Sequence, residues 1–339
     1  MQSCVRGPSI FLDRGWSFGY NVLIMSEKKL RFKPVYWSIL IFIIAQCFMF
    51  AVATRMEPFL KTNDIYVPPQ PTQPVVIWSQ PATTSPAGIV SPEVPASSSL
   101  GPIMIYFVAL IVVVGLVLFF IPLSALKYLF RVLFALLFTW GVFILCVFWL
   151  PVWAALAIGL AAGVAWLLFT RVWLHNLVMI IAVASVAAVF GRLISPWTAM
   201  ILLGALSLYD FFSVRFGYML WMANKMSQTV ALPAFILPSH AGELRSPVVH
   251  TDLTRVAETP VDDRAYSVLG GGDIAFPLLL TASVYFARGL GSSLIIAAFG
   301  FAGLVAAYLI QSFILKGKPI PALPPIAVLS LIGLLIVIL

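Results

Sequence analysis

Two acidic residues stand apart in this chain of 339 residues. Of its 12 aspartates and glutamates, only Asp210 and Asp273 lie within long apolar segments. An ionised carboxylate in hydrocarbon costs roughly 3 kcal/mol on insertion scales, so an acid kept there is a functional-site hypothesis by default. Two adjacent carboxylates share a proton, so that one acts as a general base and the other as a general acid. We therefore predict one catalytic pair.

A pair of this kind can hydrolyse a peptide bond. The base takes a proton from water, which attacks the carbonyl, while the acid polarises that carbonyl and helps to protonate the departing amine. The chemistry needs water at membrane depth, so we expect a hydrophilic cavity that opens towards the cytoplasm.

The residues around Asp273 favour close backbone contacts. Gly270, Gly271 and Gly272 remove three side chains, which permits approach by a neighbouring helix or by a substrate. Pro277 cannot donate to the carbonyl of Asp273, so the helix should be weakened at the acid. Without the acid, a simple glycine packing patch with a tolerated proline would explain this segment.

A third segment, Pro321–Pro325, reads Pro-Ala-Leu-Pro-Pro. Its prolines cannot donate to a helical ladder, so we expect an extended or irregular backbone. Irregular backbone at membrane depth is tolerated only against protein or a wet cavity. The alternative is a plain turn into the last helix.

The composition indicates what positions these segments. Hydrophobic residues make up 62% of the chain and charged residues 9%, whereas soluble domains carry about 25% charge. The apolar runs are too long and continuous for the strands of a membrane barrel. We predict an all-α polytopic membrane protein with nine transmembrane helices, at 34–53, 102–123, 128–149, 152–170, 175–192, 196–220, 266–287, 291–314 and 321–339.

The spans divide the chain into regions. We expect a cytoplasmic N-terminal segment, a first span with a Pro/Ser/Thr-rich external loop, spans 2–6 with the first acid, a cytoplasmic loop, and spans 7–9 with the second acid. These regions cover 1–33, 34–101, 102–220, 221–265 and 266–339. Both acids then lie in the cytoplasmic half of the bilayer, about 15 Å and 10 Å from the inner ends of their spans.

The basic residues predict the orientation. With a cytoplasmic N-terminus, 16 of the 20 lysines and arginines fall inside and 4 outside, as the positive-inside rule requires. The C-terminus is then extracytoplasmic, and the net charge of +8 needs no nucleic-acid partner. Met25 opens a charged lead into the first span and is a possible alternative start.

The cysteines and histidines do not predict a metal site. The three cysteines are far apart and the three histidines form no helical pair. We expect no metal and no cofactor. The expected partners are the lipid bilayer and transmembrane-helix substrates, and the sequence leaves the oligomeric state open.

Taken in order, the three segments resemble known signatures. Tyr209-Asp210, Gly270–Asp273 and Pro321-Ala322-Leu323 are similar to the YD, GxGD and PAL motifs of presenilin-type intramembrane aspartyl proteases. They fall in the sixth, seventh and ninth spans, as in that family, and the resemblance covers about residues 100–323. It implies catalytic roles for Asp210 and Asp273.

The same resemblance assigns the surrounding residues. It implies that Pro321, Ala322 and Leu323 contact substrate or shape the site, and that Tyr209 belongs to its wall; the glycines 270–272 are further candidates for substrate contact. The short loops are most like those of the prokaryotic, archaeal-type homologues.

Several alternatives remain open from the sequence. Signal peptide peptidases carry similar motifs in the inverted orientation, which the charge count disfavours. Prepilin peptidases lack the YD and PAL arrangement. A proton-coupled transporter or channel also uses paired intramembrane acids and broken helices, but we find no repeat between the two halves. A scaffold with degenerate motifs is disfavoured because both acids are present.

Overall fold

The computed structural model describes residues 34–62, 123–169, 171–216, 233–246, 266–311 and 321–338, with five isolated helical positions between 105 and 116. These residues form eight helices and two strands. In chain order they are α1 (Pro34–Thr62), α2 (Leu123–Val147), α3 (Val152–Leu168), α4 (Val172–Leu193), α5 (Pro196–Arg215), β1 (Ala234–Pro238), β2 (Tyr266–Gly270), α6 (Gly271–Arg288), α7 (Leu290–Leu309) and α8 (Leu323–Ile338). A 3-10 turn, Ala241–Arg245, follows β1.

The predicted helical bundle is confirmed. Five of the described helices, α1, α2, α4, α5 and α7, are long and apolar enough to cross a membrane, and α3 and α8 are shorter apolar helices. The predicted span 102–123 lies outside the described residues except for the isolated helical positions. The count of nine spans, the external loop and most of the cytoplasmic loop therefore stay predictions.

The start of the seventh span differs from the prediction. We expected helix from residue 266, but Tyr266–Gly270 forms strand β2 and the helix begins at Gly271. Strand β2 pairs with β1 in an antiparallel two-stranded sheet. A short apolar run fits a strand or a buried helix equally well, and here the partner strand decides between them.

The start of the last span also differs. We expected all of Pro321–Pro325 to be irregular, but only Pro321 and Ala322 precede the helix, which begins at Leu323. The next two residues, Pro324 and Pro325, occupy the first helical turn. Backbone N–H groups there have no intrahelical acceptor, so proline costs little.

Helix α6, which carries Asp273, lies at the centre of the described bundle. It packs against α1, α4, α5, α7 and α8. Small residues allow the closest approaches: a Cβ built on Gly191 of α4 would lie 2.4 Å from the Cβ of Ala282 on α6. A Cβ on Gly303 of α7 would lie 2.5 Å from the Cα of Ile326 on α8. Glycine is therefore required for both helix pairs to pack this closely.

Local sequence sets the ends of the two helices that carry the acids. The Ser195 hydroxyl caps α5 by accepting a hydrogen bond from the Thr198 N–H at 3.2 Å, and Pro196 follows in the first turn. Gly289, just after the C-terminal end of α6, has a φ of 84°. Residues other than glycine rarely adopt this backbone conformation. Local sequence thus determines where α5 begins and where α6 ends.

Candidate active site

The structure brings Asp210 and Asp273 together. Asp210 lies near the C-terminal end of α5, and Asp273 is the third residue of α6. Both residues are half-buried, and their carboxylates are close enough to interact electrostatically. The expectation that the two acids lie at matching depth in the membrane stays a prediction.

The main chain at the start of α8 contacts the first acid. The backbone N–H of Leu323 donates to Oδ2 of Asp210 at 3.3 Å, and the N–H of Ala322 donates to the same carboxylate. Since both donors are main-chain groups at the start of a helix, they suit an anionic acceptor. Pro321 is half-buried beside them.

The glycines around Asp273 have different surroundings. The Gly270 N–H donates to the Asp273 carboxylate, and a Cβ at Gly270 would lie 3.0 Å from Oδ2 of that acid. A Cβ at Gly271 would meet Met179 Cε at 2.6 Å, while one at Gly272 would lie 3.3 Å from the Phe276 ring. The backbone that approaches Gly271 most closely is that of Pro233, just before β1, whose carbonyl oxygen would lie 3.0 Å from the added Cβ.

The small sheet leads directly into Asp273. Gly271 donates its N–H to the Pro233 carbonyl at 3.0 Å, and Ala234 pairs with Gly270 in the antiparallel register. Main-chain groups alternate in direction along such a ladder. Those of Val268 and Gly270 therefore point away from β1. The outer edge of β2 consequently ends at the second acid.

Tyr209, the remaining predicted site residue, lies beside Asp210 on α5 and is half-buried. Contact with substrate remains a prediction for Tyr209, for the glycines 270–272 and for residues 321–323. Within the described residues, no group of three or more His, Cys, Asp or Glu side chains could hold a metal ion.

Sequence reasoning missed the sheet and the two side chains that hold it. His175 and Asn176, adjacent on α4, are buried and bind main-chain atoms of β1. The sequence does carry a signal for these two side chains. Two consecutive polar residues at the start of an apolar span need hydrogen-bond partners, because unpaired polar groups in hydrocarbon are costly. The run Phe235-Ile236-Leu237 between two prolines is a corresponding strand signal.

Comparisons with known proteins give a matching family model and two structures of similar fold. A family model described as signal-peptide peptidase, presenilin aspartyl protease matches residues 83–339. A structure of a presenilin family intramembrane aspartate protease in space group C222 superimposes with a TM-score of 0.52 at 16% identity, covering 89% of this chain and 96% of that one. A second, in space group P2, gives 0.54 at 19% identity, with 91% and 98% covered. No curated protein sequence matches the chain.

Proposed function

Because the chain belongs to the signal-peptide peptidase and presenilin family of aspartyl proteases, we propose that it hydrolyses peptide bonds in or near the transmembrane helices of membrane proteins. The family match confirms the predicted aspartic endopeptidase and an integral, multi-pass membrane protein. It does not favour the alternative of a proton-coupled transporter or channel. We assign the chemistry to Asp210 and Asp273, with a water molecule as nucleophile.

The proposed mechanism needs one carboxylate ionised and the other protonated. The ionised acid accepts a proton from water as that water attacks the scissile carbonyl, and the protonated acid donates towards the carbonyl oxygen. The acid that took the proton from water then protonates the amide nitrogen, and the C–N bond breaks. A hydroxyl of the tetrahedral intermediate returns its proton to the other acid, so that the pair again holds one proton. Since the two carboxylates are close enough to interact electrostatically, they suit this exchange of roles.

The observation that most supports the proposal is the meeting of three distant segments. Asp210 on α5 accepts a hydrogen bond from Leu323 at the start of α8, and it interacts electrostatically with Asp273 on α6. Main-chain N–H groups of Leu323 and Gly270 contact one acid each, which orients both carboxylates without adding a competing side chain. Fixed orientation of this kind is what an acid–base pair requires.

The sheet suggests how a substrate is presented. A transmembrane helix shields its carbonyls with its own hydrogen bonds, so the scissile segment must unwind before water reaches it. At the outer edge of β2, the main-chain groups of Val268 point away from β1, on the strand that leads into the helix of Asp273. We propose that the unwound segment joins this edge as a strand, with Pro321–Leu323 shaping the opposite side.

Orientation and relationship within the family belong to the same proposal. The charge distribution supports a cytoplasmic N-terminus, an extracytoplasmic C-terminus and a catalytic pair in the cytoplasmic half of the membrane. The short loops are most like those of prokaryotic presenilin homologues. The expected partners are transmembrane-helix protein substrates and the lipid bilayer.

A cleavage assay tests the proposal. The purified full-length protein in detergent is mixed with a generic single-span substrate, with and without a transition-state-mimicking aspartyl protease inhibitor. We expect cleavage within or near the span that the inhibitor abolishes. Inhibitor-insensitive cleavage, or cleavage that persists in Asp210→Asn, would refute the assignment of the pair.

A further inference from the structure

Helix α4 holds the outer edge of strand β1 through two adjacent buried side chains. His175 is fully buried and Asn176 is 8% exposed. Both bind main-chain atoms of β1, at Ala234 and Ile236. These contacts involve the edge of β1 that does not pair with β2, because alternate residues of an antiparallel strand point to opposite edges.

The partners of His175 define its donor atom. The Trp166 indole N–H donates to His175 Nδ1 at 3.2 Å, and an indole can only donate. Nδ1 is therefore unprotonated in the neutral ring, so Nε2 carries the proton and donates to the Ala234 carbonyl, 3.0 Å away. Phe138 packs edge-on against the imidazole, with ring centroids 5.9 Å apart. The ring is thus held in one place and one tautomer.

Asn176 takes the place of a neighbouring strand. Its Nδ2 donates to the Ile236 carbonyl at 2.7 Å, and its Oδ1 accepts from the Ile236 N–H at 3.0 Å. These are the two main-chain atoms that a third strand would use. The amide therefore satisfies and closes this edge of the sheet.

The path from these side chains to the catalytic pair is short. His175 binds Ala234, which lies opposite Gly270 in the sheet. Gly270 in turn donates its N–H to the carboxylate of Asp273. A displacement of β1 would therefore move the main chain that orients the second acid.

We propose that His175 and Asn176 are positioning residues for proteolysis: they fix β1 on α4, and through the sheet they hold Asp273 opposite Asp210. By closing the outer edge of β1, they also leave the edge of β2 beside Asp273 for an extended peptide to join. The inference rests on the proposed function, and neither side chain is assigned contact with substrate.

Four variants separate positioning from packing. His175→Leu and Asn176→Leu remove the hydrogen bonds at similar volume. In His175→Gln, the side-chain amide places a donor near the position of Nε2 and can still reach Ala234. Ser185→Ala, on the same helix and equally buried, is the control because its hydroxyl makes no hydrogen bond to any of the described residues.

Cleavage kinetics and backbone hydrogen exchange are measured on each full-length variant in detergent. We expect both leucine variants to lower kcat by roughly ten- to a hundredfold with KM changed less than about threefold, because misplacement affects the chemical step. His175→Gln should stay within about threefold of the unaltered protein. Exchange of the Ile236 N–H should rise by about fivefold or more in Asn176→Leu, because that N–H loses its acceptor and the Ile236 carbonyl loses its donor.

Each contrary result has a distinct meaning. Faster exchange with unchanged kcat would overturn the positioning role, and so would a His175→Gln variant as inactive as His175→Leu. Unchanged exchange in Asn176→Leu would overturn the proposed hold on β1. If the unaltered protein cleaves no single-span substrate, the proposed function fails instead, while the exchange result still tests the hold on β1 independently.

Discussion

The backbone N–H of Leu323 lies 3.3 Å from Oδ2 of Asp210, although the two residues are 113 positions apart in sequence. The donor is a main-chain group, so no substitution at 323 except proline removes it. Side chains near this contact can therefore affect the hydrogen bond only by changing the position of the first turn of α8. Leu323 itself is 6% exposed and packs in an apolar cluster with residues of α5, which couples the two helices at this contact.

We predict that Leu323→Gln impairs cleavage more than it impairs stability. The amide would enter the apolar cluster between α5 and α8 and shift the donors away from Asp210, with a loss in kcat/KM of roughly tenfold or more. Pro321→Gln should act in the same direction. The measurement is cleavage of a single-span substrate beside thermal unfolding in detergent.

The matched control for Leu323→Gln is Val328→Gln. Val328 lies on the same helix, and its side chain is 59% exposed. This substitution introduces the same amide away from the acid pair and should leave kcat/KM within about threefold. Equal activity in Leu323→Gln and Val328→Gln would contradict a role for the start of α8 in the site.

We predict that Asp210→Asn and Asp273→Asn each abolish proteolysis. An asparagine keeps the shape but cannot exchange the proton, so we expect losses of about 10³-fold or more. Helical content by circular dichroism should be unchanged. Glu243→Gln, in the 3-10 turn outside the site, is the control for loss of a carboxylate. Near-normal turnover in either aspartate variant would show that the pair is misassigned.

The cost of burying charge explains why the acids were predictable. Asp210 and Asp273 are conspicuous because hydrocarbon tolerates few carboxylates, and the spacing of apolar runs located the helices that carry them. The Pro-Ala-Leu segment was conspicuous for its prolines in the same way, and the hydrogen bond from Leu323 to Asp210 brings that segment to the first acid. In each case, one strong physical constraint acts on a short stretch of sequence.

The small sheet was not predictable in the same way. Tyr266–Gly270 is too short for periodicity to separate strand from helix, and its identity depends on pairing with β1, from which residues 239–265 separate it in sequence. Similarly, the polar character of Asn176 shows that it needs a partner, but not that the partner is the main chain of Ile236. Such choices are made by tertiary contacts.

We predict that residues 54–101 are extracytoplasmic and that 221–265 are cytoplasmic, because most basic residues then lie inside. On a background in which the three cysteines are replaced, Gln80→Cys should react with an impermeant thiol reagent in intact cells. His250→Cys should react only after permeabilisation. Labelling of position 250 in intact cells would reverse the orientation and favour the signal-peptide-peptidase arrangement.

We predict that Gly270→Ala lowers turnover while leaving the fold intact. Gly270 has a φ of −57° and a ψ of 134°, which alanine adopts without strain, so any effect comes from the added methyl group. That methyl would lie 3.0 Å from Oδ2 of Asp273, closer than ordinary van der Waals contact, and would push the carboxylate from its position opposite Asp210. We expect kcat to fall by roughly tenfold with a small change in unfolding temperature.

Gly204→Ala provides the comparison for Gly270, because it lies on α5 and a Cβ there meets nothing within 4 Å. In the interior of a helix this change should stabilise the protein by up to about 1 kcal/mol and leave kcat unaltered. Full activity in Gly270→Ala would show that the site accommodates the methyl group, and glycine at this position would then need another explanation. A loss of activity in both variants would mean that general helix packing, rather than contact with Asp273, controls turnover.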